Sequence, residues 1–240
     1  MTRLSLLERE SVYAHLLRRN EVASAVESIL RALGPSLEVL DISLSEHIGK
    51  FLLNPISLPH LVDLTTRCCD FLVRPEDAPL LEPTHSLRYL HIVDSTRHWV
   101  CMENFLTKNG ISHFAPSLTH LRLSQLDQEA AFIRQLEYAL DPSRDPLHGI
   151  IPPTIERLLL KPGVERNYRC ACGRCDHCDE MDGYDELLKD ARELRDKDRR
   201  VVLLKADSTR PAKGSDLQEW LDGGAFNWDA SDLDLKVGRY

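Results

Sequence analysis

A chain of 240 residues is long enough for one elongated domain or two small ones, with a sizeable core in either case. Its 30 basic and 38 acidic side chains leave a formal charge of −8, with the acidic groups concentrated after residue 175, so a phosphate backbone is not the expected partner. There is no apolar run of bilayer length and no signal-peptide pattern at the start, and 7 cysteines are an odd number for a disulfide framework; a soluble, intracellular protein, cytoplasmic or nuclear, without a membrane partner is expected.

In chain order, residues 1–34 read as a helical N-terminal cap. Ser5 and Glu8 fit a capping box, Val22, Val26, Ile29, Leu30 and Leu33 follow helical spacing, and Gly34 with Pro35 stops the turn. From residue 35 one apolar phrase, Leu-x-x-Leu-x-Leu, returns five times. Its members are Leu37, Leu40 and Ile42; Leu61, Leu64 and Thr66; Leu87, Leu90 and Ile92; Leu118, Leu121 and Leu123; and Ile155, Leu158 and Leu160. The last two apolar positions of each phrase alternate with polar or mixed residues, the period of a strand. The stretches between phrases have helical character, clearest from Asp127 to Leu140, where Ala130, Ile133, Leu136 and Leu140 make an apolar stripe, and weaker from His98 to Asn109.

The phrases stand at wider and wider intervals along the chain, which puts insertions on the helix and loop side, where they leave a strand ladder undisturbed. A helix from Tyr184 to Asp198, with Leu187, Leu188, Ala191 and Leu194 as its apolar face, leads into a sixth strand over Arg200 to Leu204. Strand, helix and strand in succession predict an α/β fold with a parallel sheet in a repeat domain over residues 35–205. Residues 206–240 read as a mixed C-terminal tail in which Trp220, Phe226 and Trp228 fold over the open edge of the sheet; a mobile acidic segment is the alternative.

The phrases resemble leucine-rich repeats, whose consensus closes on Asn or Cys. Leu61, Leu64, Thr66 and Cys69 meet it at every point when Thr66 is counted as a permissive substitute, whereas the other phrases place Ser45, Ser95, Leu126 and Gly163 at the closing position. With the Ser-Leu lead-ins, the Pro152-Pro153 phrase, the cysteine cluster and the closing apolar strand, the chain is similar to the irregular repeat portion of fungal F-box/leucine-rich-repeat-like proteins. The resemblance implies an irregular leucine-rich-repeat-like solenoid and a non-enzymatic substrate-recognition module related to ubiquitin-ligase receptors. In that family an N-terminal F-box binds the cullin-ligase adaptor. No Leu-Pro opening of an F-box precedes the first repeat here, so the adaptor is a partner only if an F-box-like role survives.

A repeat buries its leucines only by stacking on its neighbours, so their alternates point to the open concave face. Reading off the period gives Val39, Asp41 and Ser43; Asp63, Thr65 and Arg67; Tyr89, His91 and Val93; His120, Arg122 and Ser124; and Arg157, Leu159 and Lys161. Asp41, Asp63, Arg67, Tyr89, His91, His120, Arg122 and Arg157 are the candidate residues for binding a protein partner. Tyr89 and Arg122 are of types enriched at interface hot spots, and His91 and His120 would let protonation alter binding near neutral pH.

Cys170, Cys172, Cys175 and Cys178, with His177 as a substitute ligand, fall close together in a Cys-rich insertion over about residues 165–183. Clustered thiols and an imidazole suit zinc, and a zinc-binding or redox-responsive protein centred there is the alternative function; structural zinc sites usually join two distant pairs, and no second pair is present. No phosphate loop, HExxH or GxSxG pattern occurs, so no enzyme activity is expected, no catalytic residue is assigned and no cofactor is called for beyond the zinc of that alternative.

Overall fold

The computed structural model describes residues 3–7, 15–43, 56–66, 82–93, 105–106, 110–126, 130–141, 143, 150–163, 176–206 and 228. The architecture is α/β. Seven strands, β1 (Arg3–Leu7), β2 (Val39–Ser43), β3 (Asp63–Thr66), β4 (Tyr89–Val93), β5 (His120–Leu126), β6 (Arg157–Pro162) and β7 (Val201–Leu203), form one parallel sheet whose order across the sheet is the order along the chain. The described helices are α1 (His15–Leu33), the single turn α2 (Ile111–Phe114), α3 (Ala130–Leu140) and α4 (Asp176–Lys197).

The leucine phrases set the register. Leu40, Leu64, Leu90, Leu121, Leu158 and Val201 stand opposite one another across the sheet, and Ile42, Thr66, Ile92, Leu123, Leu160 and Leu203 form a second row. Both rows are buried and, except for Thr66, belong to one apolar core with Val26 and Leu30 of α1, Phe132, Ile133 and Leu136 of α3, and Leu187, Ala191 and Leu194 of α4. Each such side chain contributes about 1.5–3 kcal/mol through burial.

Ahead of each of the strands β2 to β6 the chain makes the same turn. The amide of the first apolar residue of each phrase donates to the carbonyl three residues back: Leu37 to Gly34 at 3.4 Å, Leu61 to Leu58 at 3.2 Å, Leu87 to Thr84 at 3.2 Å, Leu118 to Ala115 at 3.1 Å and Ile155 to Pro152 at 3.1 Å. The next carbonyl then serves two donors of the following repeat. Glu38 O accepts from the amides of Val62 and Asp63, Val62 O from Arg88 and Tyr89, Arg88 O from Thr119 and His120, and Thr119 O from Glu156 and Arg157. The hydroxyl lead-ins act across repeats too: Ser86 Oγ donates to Leu61 O and Thr154 Oγ1 to Leu118 O, each at 2.7 Å. These bonds link each strand entry to its neighbour through the backbone.

The N-terminal segment corrects one expectation. Residues 3–7 are strand, not the start of a helix: Leu4 pairs with Leu40 and Leu6 with Ile42, and Ser5 stands opposite Asp41 in the ladder instead of capping a helix. The sheet therefore begins before residue 35, and pairing with β1 satisfies the edge that β2 would otherwise expose. Helix α1 follows and ends at Gly34 as expected; a Cβ there would lie 2.7 Å from Ser57 O, so only glycine admits this close approach. Val26 and Leu30 face the core, but Ile29 is on the exposed side of α1.

Helix α3 buries Ile133, Leu136 and Leu140 of the predicted stripe together with Phe132, and α4 carries Leu187, Ala191 and Leu194 inward as expected. Helix α4 starts earlier than Tyr184, at Asp176, so the acidic run around it lies at the positive end of the helix dipole. In β5, Gln125 takes a left-handed backbone (φ 59°) where the register with β6 shifts between Ser124 and Leu126, an extra residue accommodated as a bulge. No helix among the described residues is long and apolar enough to cross a membrane.

Candidate functional site

The alternates of the leucine rows build a second face on the sheet, and the strand register arranges them in rows as well. Asp63, Tyr89, His120 and Arg157 stand side by side; Asp41, Thr65, His91, Arg122 and Leu159 form the next row; Val93, Ser124 and Lys161 form the third. Of the candidate partner-binding residues, Asp41, Asp63, Tyr89, His91, His120, Arg122 and Arg157 are thus brought together on one surface. Arg67 lies outside the described residues.

The first row is half-buried. The second is not open, which corrects the expectation for three of its members: Asp41 is 6 % exposed, His91 2 % and Arg122 8 %. On the same face Val39, Val93, Leu159 and Val202 are buried although none of them belongs to the leucine core.

The second and third rows are tied by a hydroxyl. Arg122 Nε donates to Ser124 Oγ at 3.2 Å, and His91 Nε2 lies 2.8 Å from the same oxygen. Burial, and then the positive charges of Arg122 and Lys161, hold the His91 pKa well below the usual imidazole value, so the ring is neutral at pH 7. A serine at hydrogen-bond reach of a neutral imidazole has the spacing of a nucleophile and its base. Here both side chains are buried on the outward face, with Arg122 Nε donating to the same oxygen. The idea of His91 as a proton switch near neutral pH is likewise corrected, because a charged imidazole at this depth beside two cations is disfavoured.

His120 behaves differently. Its Nδ1 lies 2.9 Å from Thr119 Oγ1, and that hydroxyl donates to Arg88 O at 3.0 Å, so the ring's Nδ1–H donates to the hydroxyl. The ring is tilted against Tyr89 with centroids 4.9 Å apart. Trp228 completes an aromatic trio, 5.2 Å from Tyr89 and edge-on to His120 at 6.0 Å. Its place corrects the expectation that it covers the sheet's edge: Tyr89 and His120 are on β4 and β5, in the middle of the sheet, so Trp228 sits on the face itself. Trp220 and Phe226 lie outside the described residues. The signal that pointed to Trp228 was aromatic content in an otherwise polar tail; nothing local to it indicated which surface it meets.

Cys170, Cys172 and Cys175 also lie outside the described residues, and His177 and Cys178 are placed only as backbone in the first turn of α4. Among the described residues no group of three or more His, Cys, Asp or Glu side chains is arranged to hold a metal ion. No protein-family model, no curated protein and no solved structure matches the chain.

Proposed function

We propose that the chain is a non-enzymatic, intracellular interaction scaffold of the leucine-rich-repeat-like solenoid type, a substrate-recognition module related to ubiquitin-ligase receptors, and that it takes a protein partner on the outward face of its sheet. The observation that carries this reading is the row Asp63, Tyr89, His120 and Arg157. Four in-register strands present an anion, two aromatic rings and a cation side by side, half-buried, over a second row of polar side chains already held in place. Aromatic rings and arginine on a preorganised surface are what protein interfaces use as anchors, because little side-chain entropy remains to be lost on binding.

The test is crosslinking and affinity purification of the tagged chain from its native cells, beside a Tyr89→Ala/His120→Ala/Arg157→Ala variant whose circular dichroism and melting curve match the parent. These three are chosen because they are half-buried, whereas His91 and Arg122 are buried and their removal would confound binding with folding. Proteins recovered only with the parent chain support the face as the partner site; cullin-ligase adaptor subunits recovered with both support a receptor role. Identical lists from both chains, without adaptor, overturn the reading.

A further inference from the structure

The outward face is partly shielded, and the one residue outside the sheet and its helices whose place against it is described is Trp228. Leu159 on that face has no exposed surface, and Val39, Val93 and Val202 are buried there without joining the leucine core. Trp228 itself is half-buried against Tyr89 and His120. In sequence Trp228 is flanked by Asp222, Asp229, Asp232 and Asp234, with Phe226 two residues before it. The part of the face toward β5 and β6 carries Arg122, Arg157 and Lys161.

We propose that this face is a receptor for an acidic segment centred on a tryptophan, that the chain fills it in cis with its own Trp228, and that the protein partner it takes presents the same chemistry in trans and displaces Trp228. The proposal rests on the reading of the outward face as the partner site and adds what is recognised there. Tyr89 and His120 supply the aromatic walls, an arrangement in which tilted rings at 4.9 to 6.0 Å attract beyond their area. Arg157 and Lys161 on β6 are cations of this face, and they would favour a segment whose indole is flanked by carboxylates, which confers preference for acidic partners and a dependence on salt. A cis segment is present at high effective concentration, so it sets a threshold that a partner in trans must exceed.

The experiment uses the full chain and a fluorescently labelled synthetic peptide of residues 222–234. Anisotropy is read with the parent chain and with Trp228→Ala, after both are shown to melt cooperatively. The peptide should bind the Trp228→Ala chain roughly tenfold or more tighter than the parent, lose a similar factor when its own tryptophan is replaced by alanine, and weaken as sodium chloride is raised. Binding to neither chain, or equally to both, overturns the proposal. A parent chain that dimerises in light scattering and becomes monomeric as Trp228→Ala overturns the cis arrangement, since the tryptophan then comes from a second copy.

A second readout stands if Trp228→Ala fails to fold. In the otherwise unaltered chain, Tyr89→Ala/His120→Ala should accelerate chymotrypsin cleavage after Trp228 several-fold, by the freeing of a docked side chain; an unchanged rate overturns the contact. The two readings fail separately. A peptide that binds nothing, while captured partners still depend on Tyr89, His120 and Arg157, leaves the partner face standing and removes the tryptophan chemistry. A peptide that binds as expected, with no partner captured, does the reverse.

Discussion

Arg122 and Arg134 belong to the same stretch of chain, one on β5 and one on α3, and they illustrate two ways of holding a charge. Arg134 reaches out from the helical side with its side chain 54 % exposed, pairing with Asp190 at 3.0 Å and with Glu186 of α4. Arg122 lies on the outward face of the sheet at 8 % exposure, with its Nε on Ser124 and its charge felt by His91. The helical flank can lose a charge to water at little cost. The sheet face cannot, because a polar group left there without its partner has no solvent to turn to. The contrast places rigidity where binding is proposed and tolerance where the chain accepts insertions.

The sharpest way to test the two-faced sheet is at neighbouring residues. Leu121→Asp puts a carboxylate in the leucine core and should abolish the cooperative urea transition, while His120→Ala, one residue earlier on the opposite face, should leave it in place. Similar transitions for both would break the assigned register. Next, Arg122→Ala should lower stability by about 1–3 kcal/mol, read as a lower urea midpoint at unchanged slope, because Ser124 and the groups around it stay buried.

His91 gives a smaller, pH-dependent effect. Its folded-state pKa is lowered, so between that value and about 6.5 the unfolded chain binds a proton that the folded chain refuses. Its contribution is therefore complete above the unfolded value and falls as the pH drops below it, by at most about 1.4 kcal/mol per pH unit. Melting curves from pH 7.5 to 5 should show a steeper acid loss for the parent than for His91→Gln; parallel curves would mean the imidazole is not buried neutral. Last, Arg134→Ala should leave the melting temperature unchanged. A drop matching that of Arg122→Ala would erase the contrast between the two sides.

Most of the sheet was legible because a repeat must state its leucines each time it stacks. The period-2 alternation alone places Tyr89, His120 and Arg157 on one face, and the observed register puts them side by side. β1 was hidden by a competing local pattern: Ser5 and Glu8 resemble a helix cap, yet Met1, Leu4 and Leu6 repeat the spacing of Leu37, Leu40 and Ile42, and Leu4 and Leu6 fall in register with the latter two. Burial on the outward face was not legible, since alternation says which way Asp41, His91 and Arg122 point and nothing about what lies above them. The site of Trp228 depends on ring contacts between residues far apart in the chain, for which no local period exists.

Because every inner strand of the sheet is flanked by the strands before and after it in the chain, growth of the molecule is a linear operation. A duplicated unit inserted between β4 and β5 would need no rethreading: its turn would offer one carbonyl to the following strand entry and take another from the preceding one. It would widen the outward face by about 4.8 Å and bring its own three outward side chains with it. Gene-level duplication or loss of single units thus offers this architecture a route to new recognition surfaces in steps of one strand, each step preserving the turns on which its neighbours depend.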